Sequence, residues 1–211
     1  MLELSRREDG FALPIAISIL VIAGLLVLST ITLATHSTDR ANRDRDAVRA
    51  GQAADAGVDA ALYRLNKALT ASQAPGVLGM PVSAVAETAC IQVSAGSLVN
   101  VSATGGWCNA AGASEQIDGG VPGGPVFSPA GYSYRVSTGT NIGADPSNAT
   151  AHLVERRILS TGVVDGVSRR VLATVRAKIG NAGNLLSVFE QVGYRTCTAE
   201  PTDPSDPASG C

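Results

Sequence analysis

The covalent chemistry open to this sequence lies in four cysteines, Cys90, Cys108, Cys197 and Cys211. Four cysteines allow three pairings; sequence proximity favours Cys90 with Cys108 and Cys197 with Cys211, and a link from Cys211 to a second chain is the alternative. An even set suits an oxidising compartment, and closing a loop of about 15 residues contributes on the order of 3 kcal/mol in the chain-entropy description. Proton-transfer chemistry has less to work with. The two histidines, His36 and His152, belong to no HExxH, GxSxG or phosphate-loop pattern, which leaves a Ser–His152–Asp arrangement as the one catalytic set still open. Glu200, Asp203 and Asp206 lack the spacing and central glycine of a calcium loop and read as solvated charge. The expectation is therefore no catalytic residue, no metal, no cofactor and no small-molecule substrate.

Charge narrows the classes further. Sixteen Lys and Arg stand against 18 Asp and Glu, a net charge of −2, which excludes a strongly basic nucleic-acid binder of the usual kind. Arg156, Arg157, Arg169 and Arg170 flank an Asp165-Gly166 pair. They read as solvated polar faces of strands, with an anion- or DNA-contacting ridge as the alternative. Aromatic residues are 4% of the chain, and 23 glycines and 10 prolines leave little for a dense aromatic core, yet mean hydropathy is positive at +0.18.

Much of that hydropathy sits between Phe11 and Ala34, where no residue is charged. Roughly 20 apolar residues cross a bilayer as a helix, so residues 11–34 read as a retained transmembrane helix. Orientation stays ambiguous from charge. Arg6 and Arg7 precede the span while Arg40, Arg43, Arg45 and Arg49 follow it, with Asp39, Asp44 and Asp46 interleaved. Lys and Arg alone would place the long C-terminal part in the cytoplasm; the cysteines weigh the other way.

The residues opening the span, Arg6-Arg7-Glu8-Asp9-Gly10-Phe11-Ala12-Leu13, resemble the type IV prepilin signal. In that family a membrane peptidase cuts after the glycine and methylates the new N-terminal phenylalanine. The resemblance implies a leader at 1–10, cleavage between Gly10 and Phe11, N-methylation of Phe11, and a C-terminal part outside the inner membrane. The family usually carries Glu at the fifth mature position, where it pairs with a neighbouring subunit's amine; here Ile15 occupies it. Minor pilins and pseudopilins at filament tips share that absence.

Residues 35–71 extend the helix as an Ala-rich, Pro-free stretch. Val48, Gly51, Asp55, Val58, Leu62, Leu65 and Leu69 recur at alternating spacings of three and four, which, except at Gly51 and Asp55, draws an apolar seam packed on a domain or among subunits. Small residues from Ala50 to Ala61 permit close helix approach. The run RAGQAADAGVDAALYRL, Arg49 to Leu65, resembles the helix of PilX-like pilus assembly proteins.

Past Pro75 the period shortens. Residues 82–105 alternate apolar with small polar types and predict strands; Tyr132–Val136 predicts another. Val154–Val164 and Val167–Ile179, joined by Asp165-Gly166, predict a two-residue hairpin. A Gly-rich loop spans 105–131, the β-rich domain 76–195, and a Pro-rich tail bracketed by cysteines 196–211. Helix first and antiparallel sheet after predicts an α+β fold with the helix packed on the sheet, which the resemblance makes pilin-like.

Taken with the resemblance, these features imply a non-catalytic minor pilin that assembles, primes or caps a type IV pilus-like filament. Its partners would be other pilins through the N-terminal helix, the prepilin peptidase and the inner membrane, with surfaces or DNA as further contacts. It would reach the cell surface after assembly. A membrane-anchored extracytoplasmic adhesion or binding protein and a type II secretion pseudopilin are the alternatives.

Overall fold

Helix α1 runs from Ala12 to Ser72 in the computed structural model, which describes residues 12–73, 80–94, 97–101, 103, 106–108, 115–116, 130–199 and 211. The chain divides into two units, Met1–Arg45 and Asp46–Cys211. Within the first, α1 carries no charge from Pro14 to Ala34 and is exposed on every side there; it is long and apolar enough to cross a membrane. Its hydroxyls are spent on its own backbone: Ser18 donates to the Pro14 carbonyl, Ser29 to Leu26, Thr30 to Val27 and Thr35 to Thr32. In hydrocarbon an unsatisfied hydroxyl costs several kcal/mol, and here each of these finds a partner one turn back.

The second unit is α+β. After α1 comes a short helix, α2 (Val82–Glu87), then β1 (Cys90–Ser94), β2 (Ser97–Val101), β3 (Glu115–Gln116), β4 (Ala130–Val136), β5 (Thr140–Asp145), β6 (Asn148–Val164), β7 (Val167–Gly180) and β8 (Leu185–Cys197). β1 and β2 pair as a ribbon. The other six strands form an antiparallel sheet in the order β3-β4-β6-β7-β8, with β5 also on β6. The 17-residue β6 is long enough to serve both neighbours: β4 pairs with its C-terminal half and β5 with its N-terminal half. The expected hairpin is present. Asp165 and Gly166 take φ of 46° and 80°, the positive values that match a two-residue turn to strand twist, and Val164 faces Val167 across it.

Strand alternation sets two faces. Val154, Ile158, Val171, Ala173, Val175, Ala177 and Ile179 turn inward and share the main core with α1 and α2. On the opposite face Leu159 and Leu172, paired in register, pack under Trp107, with Cys197 and Cys211 beside them.

Three expectations are corrected. Residues 82–87 are helical, because Val82, Val85 and Ala86 are buried at helical spacing and Pro81 opens the turn. The buried stripe of α1 is Ala50, Ala54, Val58, Ala61, Leu65, Ala68 and Leu69; the expected seam holds at Val58, Leu65 and Leu69, with Leu62 packed beside them, whereas Val48 is 62% exposed and its place is taken by Ala50 and Ala54. The 105–131 stretch contributes a bridge from Trp107 to Ser137 and the strand β3, paired with β4; its remaining residues, other than 106–108 and 130–131, lie outside the described residues. β5 and β8 add two strands beyond those expected from the sequence.

Candidate functional site

Gly10 and Phe11 lie outside the described residues, as do Glu200, Asp203 and Asp206. Ile15 sits in the first turns of α1 with 52% of its surface exposed, among Ile17, Ile19 and Leu20. Both favoured disulfides are formed, Cys90–Cys108 and Cys197–Cys211, with Cα separations of 4.8 and 4.0 Å. The first ties the start of β1, just after α2, to the segment beside Trp107; the second closes the chain end onto the end of β8. His152 places Nε2 2.8 Å from Glu87 Oε1 and links β6 to α2. Among the described residues no three His, Cys, Asp or Glu side chains gather as a metal site.

The four arginines do not form a ridge. Arg169 and Arg170 face Gly162 and Thr161, near the hairpin turn, whereas Arg156 and Arg157 face Val175 and Thr174 further down the strand pair. Arg156 is moreover 1% exposed, which corrects its reading as a solvated residue. Strand alternation puts it on the inner face, between Val154 and Ile158, where it closes the end of α2. Nε donates to the Ala86 carbonyl at 2.8 Å, Nη2 to Val85 at 2.8 Å and Ala89 at 2.7 Å, and Nη1 to Ser137 at 3.3 Å. A helix leaves its last carbonyls without partners. Here one guanidinium satisfies three backbone carbonyls at and just beyond the helix end, and the Gly139 amide takes the Glu87 carbonyl. Burial pushes the Arg156 pKa down to about 10, and its charge centre lies 5.9 Å from the Phe189 ring.

Two polar clamps fix α1 against β8. Asn66 donates from Nδ2 to the Phe189 carbonyl at 3.0 Å and accepts the Phe189 amide on Oδ1 at 2.8 Å. That closes one backbone site on an edge strand, where free N–H and C=O groups invite pairing with another chain. Asp55, one of the two breaks in the apolar seam, accepts a hydrogen bond from the Tyr194 hydroxyl at 2.5 Å. The helix length from Asp55 to Asn66 and the strand length from Tyr194 back to Phe189 each cover roughly 16 Å, so the clamps are in step.

Burial, then the hydrogen bond to the Asp55 carboxylate, raises the Tyr194 pKa from 10.0 to about 12. Below pH 10 the phenol is neutral folded or unfolded; between 10 and about 12 only the unfolded chain ionises, so this contribution to stability falls as pH rises. Asp55→Asn removes the carboxylate and is expected to bring the Tyr194 titration back toward 10, read from tyrosinate absorbance at alkaline pH. An unmoved midpoint would show that the carboxylate has no part in it.

Asp145, at the β5–β6 turn, is held well below the usual carboxylate range, at about 2. The Lys178 ammonium at 2.8 Å comes first, then the Ser147 amide and hydroxyl. Its folded value lies under the ordinary 3.8, so the carboxylate's contribution is whole above 3.8 and is lost as pH falls toward 2. Lys178→Ala is expected to move the Asp145 midpoint upward toward 3.8 in a carboxyl-carbon NMR titration. Retention of the low midpoint would assign the effect to Ser147 instead.

No protein-family model, no curated protein and no solved structure matches the chain.

Proposed function

We propose that this chain is a non-catalytic, single-pass subunit of a type IV pilus-like filament, a PilX-like minor pilin that takes part in assembly, priming or tip-capping. The observation that carries this reading is helix α1: an apolar span whose hydroxyls bond to its own backbone, followed in the same helix by a stripe of small residues that seats on an antiparallel sheet. Such a span passes from bilayer to helix bundle at little polar cost, since these side chains need no new partner in either setting. Ile15 agrees with a terminal position. A carboxylate there would need a neighbour's amine to offset its burial, and a subunit without that neighbour is better served by an apolar side chain.

In this reading the prepilin peptidase cuts after Gly10, Phe11 becomes the methylated N-terminus, and the helix is held in the inner membrane until it is drawn in among other pilin helices. The β-rich unit faces outward, where surfaces or DNA are the candidate contacts.

Intact-mass measurement of the protein isolated from membranes tests this directly. The expected species begins at Phe11 and carries one added methyl group; Gly10→Leu leaves the leader in place and lowers recovery in sheared filament fractions. An unprocessed Met1, or cleavage near Ala34, would overturn it, and the latter would return the chain to a secreted or plainly anchored binding protein.

A further inference from the structure

Arg156 carries a full charge into the core without an anion to meet it. Among the described residues no carboxylate pairs with it, and four of its five N–H groups go to neutral backbone carbonyls. The fifth, on Nη1, has as its acceptor the Cys108 sulfur at 3.9 Å. A disulfide sulfur is a weak acceptor, whereas a thiolate is a strong one and supplies the missing negative charge. Other ionisable groups on the surrounding elements are engaged elsewhere: Glu87 with His152, and Glu155 with Arg176 and Arg157. Arg135 lies opposite Leu159 in register, on the outer face of the sheet, and the Tyr134 hydroxyl is held neutral by burial.

We infer that Cys90–Cys108 is a redox-responsive disulfide whose reduced form is stabilised by Arg156, with Cys108 the sulfur that becomes the guanidinium's counter-anion. A dithiol reductant supplies the two electrons. Its thiolate attacks Cys90 Sγ, the Cys90–Cys108 bond breaks, and the electron pair leaves on Cys108, the sulfur that faces positive charge and is therefore the better leaving group. The reductant's second sulfur then closes on the first and releases Cys90, which takes up a proton. The dithiol ends as its cyclic disulfide, Cys90 as a thiol and Cys108 as a thiolate, with one proton released to solvent. The two cysteines are 1% and 3% exposed, so exchange passes through local opening; that sets the rate and leaves the equilibrium to the charges. In an environment where dithiols compete with oxidants, opening of this bond frees β1 from the segment beside Trp107.

The proton count makes the test. Full-length protein in detergent is equilibrated with dithiothreitol and its oxidised form across pH 5.5 to 7.5, quenched by acid and alkylation, and the Cys90 and Cys108 peptides are quantified by mass spectrometry. If Cys108 is a thiolate throughout, the equilibrium constant for reduction rises about tenfold per pH unit. If both cysteines are ordinary thiols of pKa about 8.5, it stays flat over that range, and the inference fails. A second measurement uses Cys90→Ser combined with Cys197→Ser and Cys211→Ser, which leaves one thiol. Thiolate absorbance near 240 nm is expected to persist below pH 7, and its appearance only above pH 8 would also overturn the assignment.

Discussion

Gly162→Val is expected to strip α1 from the sheet and to lower stability by roughly 3 kcal/mol or more, at the upper end of what overpacking costs. A Cβ at Gly162 would meet the Ala50 carbonyl oxygen and the Ala54 amide nitrogen, and touch Ala53 Cβ. Two of these are helix backbone, which cannot rotate aside, and Ala50 and Ala54 are themselves fully buried. Helix and strand therefore touch backbone to backbone here, a contact that only a residue without a side chain permits. Gly57 is the milder case. A Cβ there meets the Ser160 hydroxyl and the Tyr132 ring, side-chain atoms rather than backbone, so Gly57→Ala costs less. Gly51→Ala is the control: nothing lies within 4 Å of its Cβ position, and helix propensity should make it neutral or favourable by up to about 1 kcal/mol. Urea midpoints of the detergent-solubilised chain, followed by circular dichroism, rank the three. A Gly162→Val midpoint equal to that of the parent would mean that helix and strand are not in contact at this point.

That contact also explains why apolar spacing misplaces the N-terminal part of the α1 seam. A scan for apolar size selects Val48 and passes over Ala50, but a helix that rests on strand backbone buries its smallest residues, and valine is left in solvent. Further along the helix, Val58, Leu65 and Leu69 are buried as their size suggests. The hairpin was legible because Asp-Gly answers to a purely local requirement for positive φ, and the disulfides because short loops are the cheapest to close. β8 was not: its ladder with β7 slips between Thr174 and Val175 and again around Lys178, and each slip breaks the two-residue period on which strand reading depends. Helix α2, at six residues, is too short for its spacing to declare a period. Arg156 does carry a signal in the sequence. Its parity with Val154, Ile158 and Ser160 places it on the inner face of β6, and Arg157, one residue on, belongs to the other.

The outcome of Arg156→Met depends on which of two opposing costs is greater. Burying a guanidinium without a counter-ion costs several kcal/mol, and the drop of its pKa to about 10, driven by burial, is the mark of that cost. Methionine fills much of the volume and removes it. Against this, methionine leaves the Val85, Ala86, Ala89 and Ser137 carbonyls without the donor they now share. Each buried acceptor left unpaired costs about 1–3 kcal/mol, and four of them together exceed the relief. A net loss of about 3–5 kcal/mol is expected. Arg156→Lys keeps the charge and offers three donors from one point, which cannot span four carbonyls, so it should fall between methionine and the parent. Hydrogen exchange locates the damage: the Thr88 and Ala89 amides, bonded to the Ala84 carbonyl, should lose protection before the β6–β7 ladder does. If Arg156→Met melts at or above the parent midpoint, relief from charge desolvation outweighs the lost hydrogen bonds and the arginine is no clip. If it melts far below with α2 protection unchanged, the loss belongs to the core around Phe189 rather than to the helix end.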